Sequence, residues 1–140
     1  MGDEITLYGS LASAGNGQVI SLSSDAFLGT VNYIVVPKGF KCVIKSVTIA
    51  GAEATMYIEV SKDEGTNWTK VQAFDLASPG TLNIDEVDKE VVAEMPLITQ
   101  IRFTSDKPTA DPTNYSITIE FVKMKEGKVR KYGEKVGNRR

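Results

Sequence analysis

The chain has no histidine and one cysteine, Cys42. The commonest general base and the commonest metal ligand are therefore missing, which excludes Ser-His and Cys-His hydrolase arrangements and argues against zinc chemistry. A lone thiol forms neither an internal disulfide nor a cysteine cluster. Set among Lys41, Val43 and Ile44 in a strand-like segment, Cys42 reads as a small core residue. The competing reading, a thiol made reactive by Lys41 or Lys45, has no base or resolving partner to support it. Long hydrophobic runs are also absent. A membrane helix needs about 20 apolar residues, and the densest stretch here, residues 33–36, stops at Pro37. The opening Met-Gly-Asp-Glu has neither the basic start nor the apolar stretch of a secretory signal, so a soluble protein made in the cytoplasm is expected.

What is present is a globular composition with an uneven charge. The chain has 140 residues, 41% of them hydrophobic, enough for one domain with a real core. The net charge of −2 conceals a split. Residues 123–140 carry eight Lys or Arg against two Glu, while residues 1–122 carry eight basic against sixteen acidic side chains. Sorted charge is a statement about partners, because an unpaired basic segment seeks an acidic surface.

Period-two alternation marks half-buried strands. It is clearest at Ala54, Met56, Ile58 and Val60, at Leu97, Thr99, Ile101 and Phe103, and at Tyr115, Ile117, Ile119 and Phe121. Further strands are expected at residues 5–8, 18–22, 27–36, 40–49, 68–76, 81–84 and 90–93. Turn chemistry separates them at Gly15-Asn16-Gly17, Pro37-Lys38-Gly39, Gly51, Ser78-Pro79-Gly80, Lys107-Pro108 and Asp111-Pro112. After Phe40 the alternation slips near Lys45 and Ser46, which predicts a β-bulge there. No long amphipathic helix and no internal repeat is visible. Eight or so short strands point to an all-β, antiparallel sandwich of jelly-roll type, with an immunoglobulin sandwich as the rival. The predicted layout is an N-terminal arm or edge strand at residues 1–17, the sandwich at 18–124 and an extended basic C-terminal arm at 125–140.

The sharpest local pattern is Ser61-Lys62-Asp63-Glu64-Gly65-Thr66-Asn67-Trp68, which matches the Asp-box signature found in sialidase-like propellers and other β proteins. Ser61, Asp63, Gly65 and Trp68 are the residues of a structural turn: Asp63 accepts backbone N–H bonds, Gly65 takes a positive φ and Trp68 covers the loop. A single copy implies neither a propeller nor a glycosidase. Asp85, Glu86, Asp88, Glu90 and Glu94 form an acidic stretch. Calcium binding lacks the alternating oxygen ligands and central glycine it needs, and Lys89 competes as a cation. Glycoside hydrolysis has no visible tuning of a carboxylate pair. Asp85, Glu86, Asp88 and Glu90 are instead read as a solvated acidic patch that receives the basic tail of a neighbouring copy.

That tail offers Lys125, Lys128, Arg130, Lys131, Tyr132, Lys135, Arg139 and Arg140. Nucleic-acid binding needs stacking aromatics, and Tyr132 stands alone beside an acidic body that repels phosphate. Membrane attachment needs a bulky apolar face, which Val129, Tyr132 and Val136 do not supply. A protein-binding arm fits best: sixteen residues extend roughly 50 Å, enough to reach a neighbouring subunit. A solvated end without a partner is the competing reading.

A small histidine-free jelly-roll body, an Asp-box hairpin and a basic terminal arm together resemble the head decoration, or cement, proteins of tailed bacteriophages. The resemblance implies a non-enzymatic homo-oligomer, a trimer by preference. Its partner would be the major capsid protein lattice, and its location the virion surface after assembly in the host cytoplasm. It implies no cofactor and no metal, and offers no catalytic or binding signature to map residue by residue. The alternative is a carbohydrate- or receptor-binding β-sandwich module of a phage tail, with Tyr8, Tyr33, Tyr57 or Trp68 stacking on sugar rings.

Overall fold

The computed structural model describes residues 3–94 and 99–124. The strands are β1 (Glu4–Leu11), β2 (Gly15–Val19), β3 (Leu22–Ser24), β4 (Phe27–Val31), β5 (Ile34–Val36), β6 (Phe40–Gly51), β7 (Ala54–Ser61), β8 (Thr69–Leu76), β9 (Gly80–Ile84), β10 (Lys89–Val92), β11 (Thr99–Lys107) and β12 (Thr113–Lys123). The larger sheet runs β4-β3-β1-β12-β6, with β9 and β10 end to end along the far edge of β6. The smaller runs β8-β7-β11, with β2 and β5 end to end along β11. All pairings are antiparallel. The chain passes from one sheet to the other at most connections, and the first strand pairs with the last. This is a β-sandwich of jelly-roll topology.

Alternation drives the packing. Ala54, Met56 and Ile58 of β7, Ile101 and Phe103 of β11, and Ile117 and Ile119 of β12 turn inward and are buried. They meet Leu7, Ile20, Leu22, Ile44, Ile49 and Phe74 in one core. Each of the Leu, Ile, Met and Phe side chains contributes about 1.5–3 kcal/mol by leaving water. Cys42 belongs to this core, and burial pushes its thiol up to about 12.

The bulge falls on Lys45. Thr118 pairs with Ser46 and Ile119 with Ile44, leaving Lys45 as the extra residue on β6. The bulge is also the junction between β9 and β10. The loop joining them crosses it, and the Val87 N–H donates to the Lys45 carbonyl at 2.9 Å.

Three expectations change. Residues 4–11 form neither an arm nor an edge strand, because β1 is held on both sides, by β12 along its length and by β3 at Tyr8. The edge strand from this region is β2, which absorbs Gly15-Asn16-Gly17, read as a turn. Gly9 makes the first arrangement sterically feasible. A Cβ there would lie 2.7 Å from the Ser21 carbonyl and collide with Ile20, so only glycine lets the β2–β3 crossing rest on β1. Residues 18–22 and 27–36 each break, into β2 and β3 and into β4 and β5, since the chain must leave one sheet to join the other. Leu97 lies outside the described residues, while Thr99, Ile101 and Phe103 belong to β11.

Candidate interaction surfaces

The Asp-box hairpin is a closed structural unit. Asp63 Oδ1 accepts from the Asn67 N–H at 2.9 Å and from the Ser61 hydroxyl at 2.7 Å, and Oδ2 accepts from the Asn67 side-chain amide at 2.7 Å. These bonds, that of the Asn67 backbone first, hold the carboxyl down to about 2. The Ser61 hydroxyl accepts from the Gly65 N–H at 2.9 Å, while Glu64 and Gly65 turn the chain with φ of 59° and 91°. Trp68 Nε1–H closes the loop on the Gly65 carbonyl at 3.1 Å. The ring's face is taken by Arg102, 4.2 Å from its centre.

Arg102 also donates to Glu59 at 2.8 Å, and the Thr104 hydroxyl donates to the other Glu59 oxygen at 2.8 Å. Glu59 is buried although it points out of the sheet, because its neighbours roof it. Further along the same face, Lys70 sits 4.0 Å over the Tyr57 ring, and the Tyr57 hydroxyl donates to Asp106 at 3.0 Å. Two of the four aromatic rings read as sugar platforms, Tyr57 and Trp68, are thus already covered by cations. Tyr8 and Tyr33 are about half exposed.

Asp85, Glu86, Asp88 and Glu90 are all exposed along one edge of the larger sheet. Two cations from β6 reach into this stretch. Lys41 pairs with Glu90 at 2.9 Å, and Lys45, turned out by the bulge, lies 3.8 Å from Asp88 and 3.9 Å from Glu120. The sequence identified Lys89 as the competing cation. The pairing of β10 with β6 brings up Lys41 and Lys45 instead, residues more than 40 positions away that no local pattern connects to this patch. Among the described residues, Asp85 and Glu86 make no ion pair, and no three carboxylates or thiols converge in a metal-ligand arrangement. The arm residues Lys125, Lys128, Arg130, Lys131, Tyr132, Lys135, Arg139 and Arg140 lie outside the described residues. The last described residue, Met124, donates its N–H to the Gly39 carbonyl at 2.8 Å, at the end of the larger sheet that holds the β10–β6 pair.

One surface was read in the sequence only through Tyr8. On the outer face of the larger sheet, Ser23, Tyr8, Ser116, Thr48 and Asn83 form a row across five strands, and Ser10, Asn114, Ala50 and Thr81 form the next. A depression of about 400 Å³ lies here, lined by Tyr8, Gly9, Ser10, Ser23, Thr48, Ala50, Asn114, Tyr115 and Ser116. The signal was the run of short polar residues at alternate positions of β1, β6 and β12. Without the register it reads only as a wet strand face.

No protein-family model matches the chain, and no curated protein matches it significantly. Among solved structures, it is similar to the Yersinia pseudotuberculosis-derived mitogen, at 11% identity and a TM-score of 0.32, covering 90% of this chain and 89% of that one. It is also similar to a protein of broad bean stain virus, at 14% identity and a TM-score of 0.35, covering 88% of this chain and 78% of that one. The fold assignment rests on the strand order itself, and neither protein's role transfers through likeness at this level.

Proposed function

We propose that this jelly roll is a non-enzymatic structural protein that binds and stabilises a viral capsid lattice as a decoration subunit, self-associating as a trimer. The observation that carries the reading is electrostatic. β12 delivers the chain to Met124 at one end of the larger sheet, and sixteen residues rich in Lys and Arg follow. Along the edge of that sheet stand Asp85, Glu86, Asp88 and Glu90. Like strands are about 4.8 Å apart, so β10 lies only about 10 Å across the sheet from β12. In a symmetric assembly each subunit then offers both a basic arm and an acidic acceptor, and every later contact forms at high effective concentration.

Light scattering on the full chain and on residues 1–124 tests this, together with binding to capsid shells lacking the protein. The expected result is a salt-sensitive trimer, or salt-sensitive shell binding, that is lost on truncation. Both should weaken in an Asp85→Lys, Glu86→Lys, Asp88→Lys variant. A monomer in every case with no shell binding overturns the proposal. Loss of neither property in the charge-reversed chain overturns the acceptor assignment.

A further inference from the structure

We propose that the depression beside Tyr8 is a binding site for a neutral saccharide, separate from the charged surfaces assigned to assembly. A pyranose presents an apolar C–H face and a rim of hydroxyls. Its site needs an exposed aromatic ring, short polar groups around that ring, and a floor that leaves room. All three occur here. Tyr8 is 49% exposed, and among the described residues no cation covers its ring, unlike Tyr57 and Trp68. Its π-face is available for C–H contact. Ser10, Asn114 and Ser116 surround it, and among the described residues their side chains make no hydrogen bond, so both donors and acceptors are open to a ligand. Ala50, paired with Asn114 on the same face, has only a methyl group and keeps the floor low.

The volume of about 400 Å³ lies at the lower end of the range for small-molecule sites. Tyr8 and Thr48 are two strands apart, a span of about 10 Å that suits a disaccharide. The platform is also rigid, because β1, β12 and β6 are central strands paired residue for residue beneath it. The choice of a neutral ligand follows from the lining, which among the described residues contains no charged side chain. On its other side Tyr8 borders a second depression that includes Glu4 and Asp25, which disfavours an anionic sugar.

The test is an NMR titration of the full chain with cellotriose, maltotriose and fully N-acetylated chitotriose, with sialyllactose as the charged comparison. Expected is millimolar or tighter binding of at least one neutral trisaccharide, with shifts centred on Tyr8, Ser10, Thr48 and Ser116. Tyr8→Ala and Ser116→Lys should each weaken it at least tenfold while Tyr57→Ala does not. Both changes are on an outer face, and an unchanged thermal midpoint shows that the fold is retained. Absence of shifts with every neutral sugar, binding that survives Tyr8→Ala, or tighter binding of sialyllactose overturns the proposal. The variants leave the acidic loop and the basic segment intact, so their oligomeric state separates failure here from failure of the assembly reading.

Discussion

The Arg102 guanidinium lies 4.2 Å from the centre of the Trp68 ring while its Nε donates to Glu59 at 2.8 Å. One side chain thus ties the Asp-box hairpin to the face of the smaller sheet and neutralises a carboxylate that is only 5% exposed. Arg102→Ala should cost about 2–4 kcal/mol, because it leaves Glu59 buried without its cation and uncovers the ring. The double change Glu59→Leu, Arg102→Leu should cost less than Arg102→Ala alone. Urea denaturation of the three proteins checks the order.

The Asp63 carboxyl is held down to about 2, chiefly by the Asn67 backbone N–H. A depressed acid stabilises the fold above its unfolded value, near 3.8, and that contribution disappears as pH falls through about 2. Asp63→Ala should therefore melt below the native chain at pH 7. The gap should narrow from about pH 4 downward and close near pH 2. Thermal melts of both proteins across pH 2–7 measure it.

Cys42 has its thiol pushed up to about 12 by burial among apolar neighbours. A raised acid stabilises the fold below the unfolded thiol value of 9.0, and that stability is lost as pH rises toward 12. Native protein should resist Ellman's reagent at pH 8, reacting only at the rate at which the chain opens. Cys42→Ala should make the alkaline fall in thermal midpoint between about pH 9 and 11 shallower. Prompt labelling of the native chain would contradict this.

Lys107 is 2% exposed, and its ammonium donates to the Asp111 carbonyl at 2.8 Å and to the Thr113 hydroxyl, which in turn donates to the Ala52 carbonyl at 2.8 Å. The cluster fastens the β11–β12 turn to the end of β6. Lys107→Ala should cost about 2–4 kcal/mol, through the space it leaves and the carbonyl it deprives of a donor. Lys107→Met, which keeps the volume, should cost less. Chemical denaturation compares them.

Gly9→Ala should destabilise by about 1–3 kcal/mol, since a new methyl would press on the Ser21 carbonyl and Ile20. Gly17→Ala is a useful contrast: its cost comes from a φ of 68° rather than from crowding, because nothing lies within 4 Å of the added carbon. Comparing the two thermal midpoints separates collision from backbone strain.

The strands that alternate strictly were legible in the chain itself. Met56 and Ile58 against Tyr57 and Glu59, or Ile117 and Ile119 against Ser116 and Thr118, reveal which face is buried because a strand's side chains repeat every two residues. The slip at Lys45 was legible for the same reason, since one inserted residue reverses the phase. The Asp-box was readable because all its bonds fall within eight residues.

Sequence alone thus determined the all-β class, the buried faces, the bulge, the hairpin and the separation of acidic body from basic end, all of which depend on neighbours in the chain. Tertiary structure decided the rest. It made β1 a central strand, brought Lys41 and Lys45 to the acidic stretch and lined up Tyr8, Ser116 and Thr48 across three strands. These depend on strand register between residues more than 40 positions apart. Register is set by which apolar faces can close one core together, a condition that no local stretch of sequence carries.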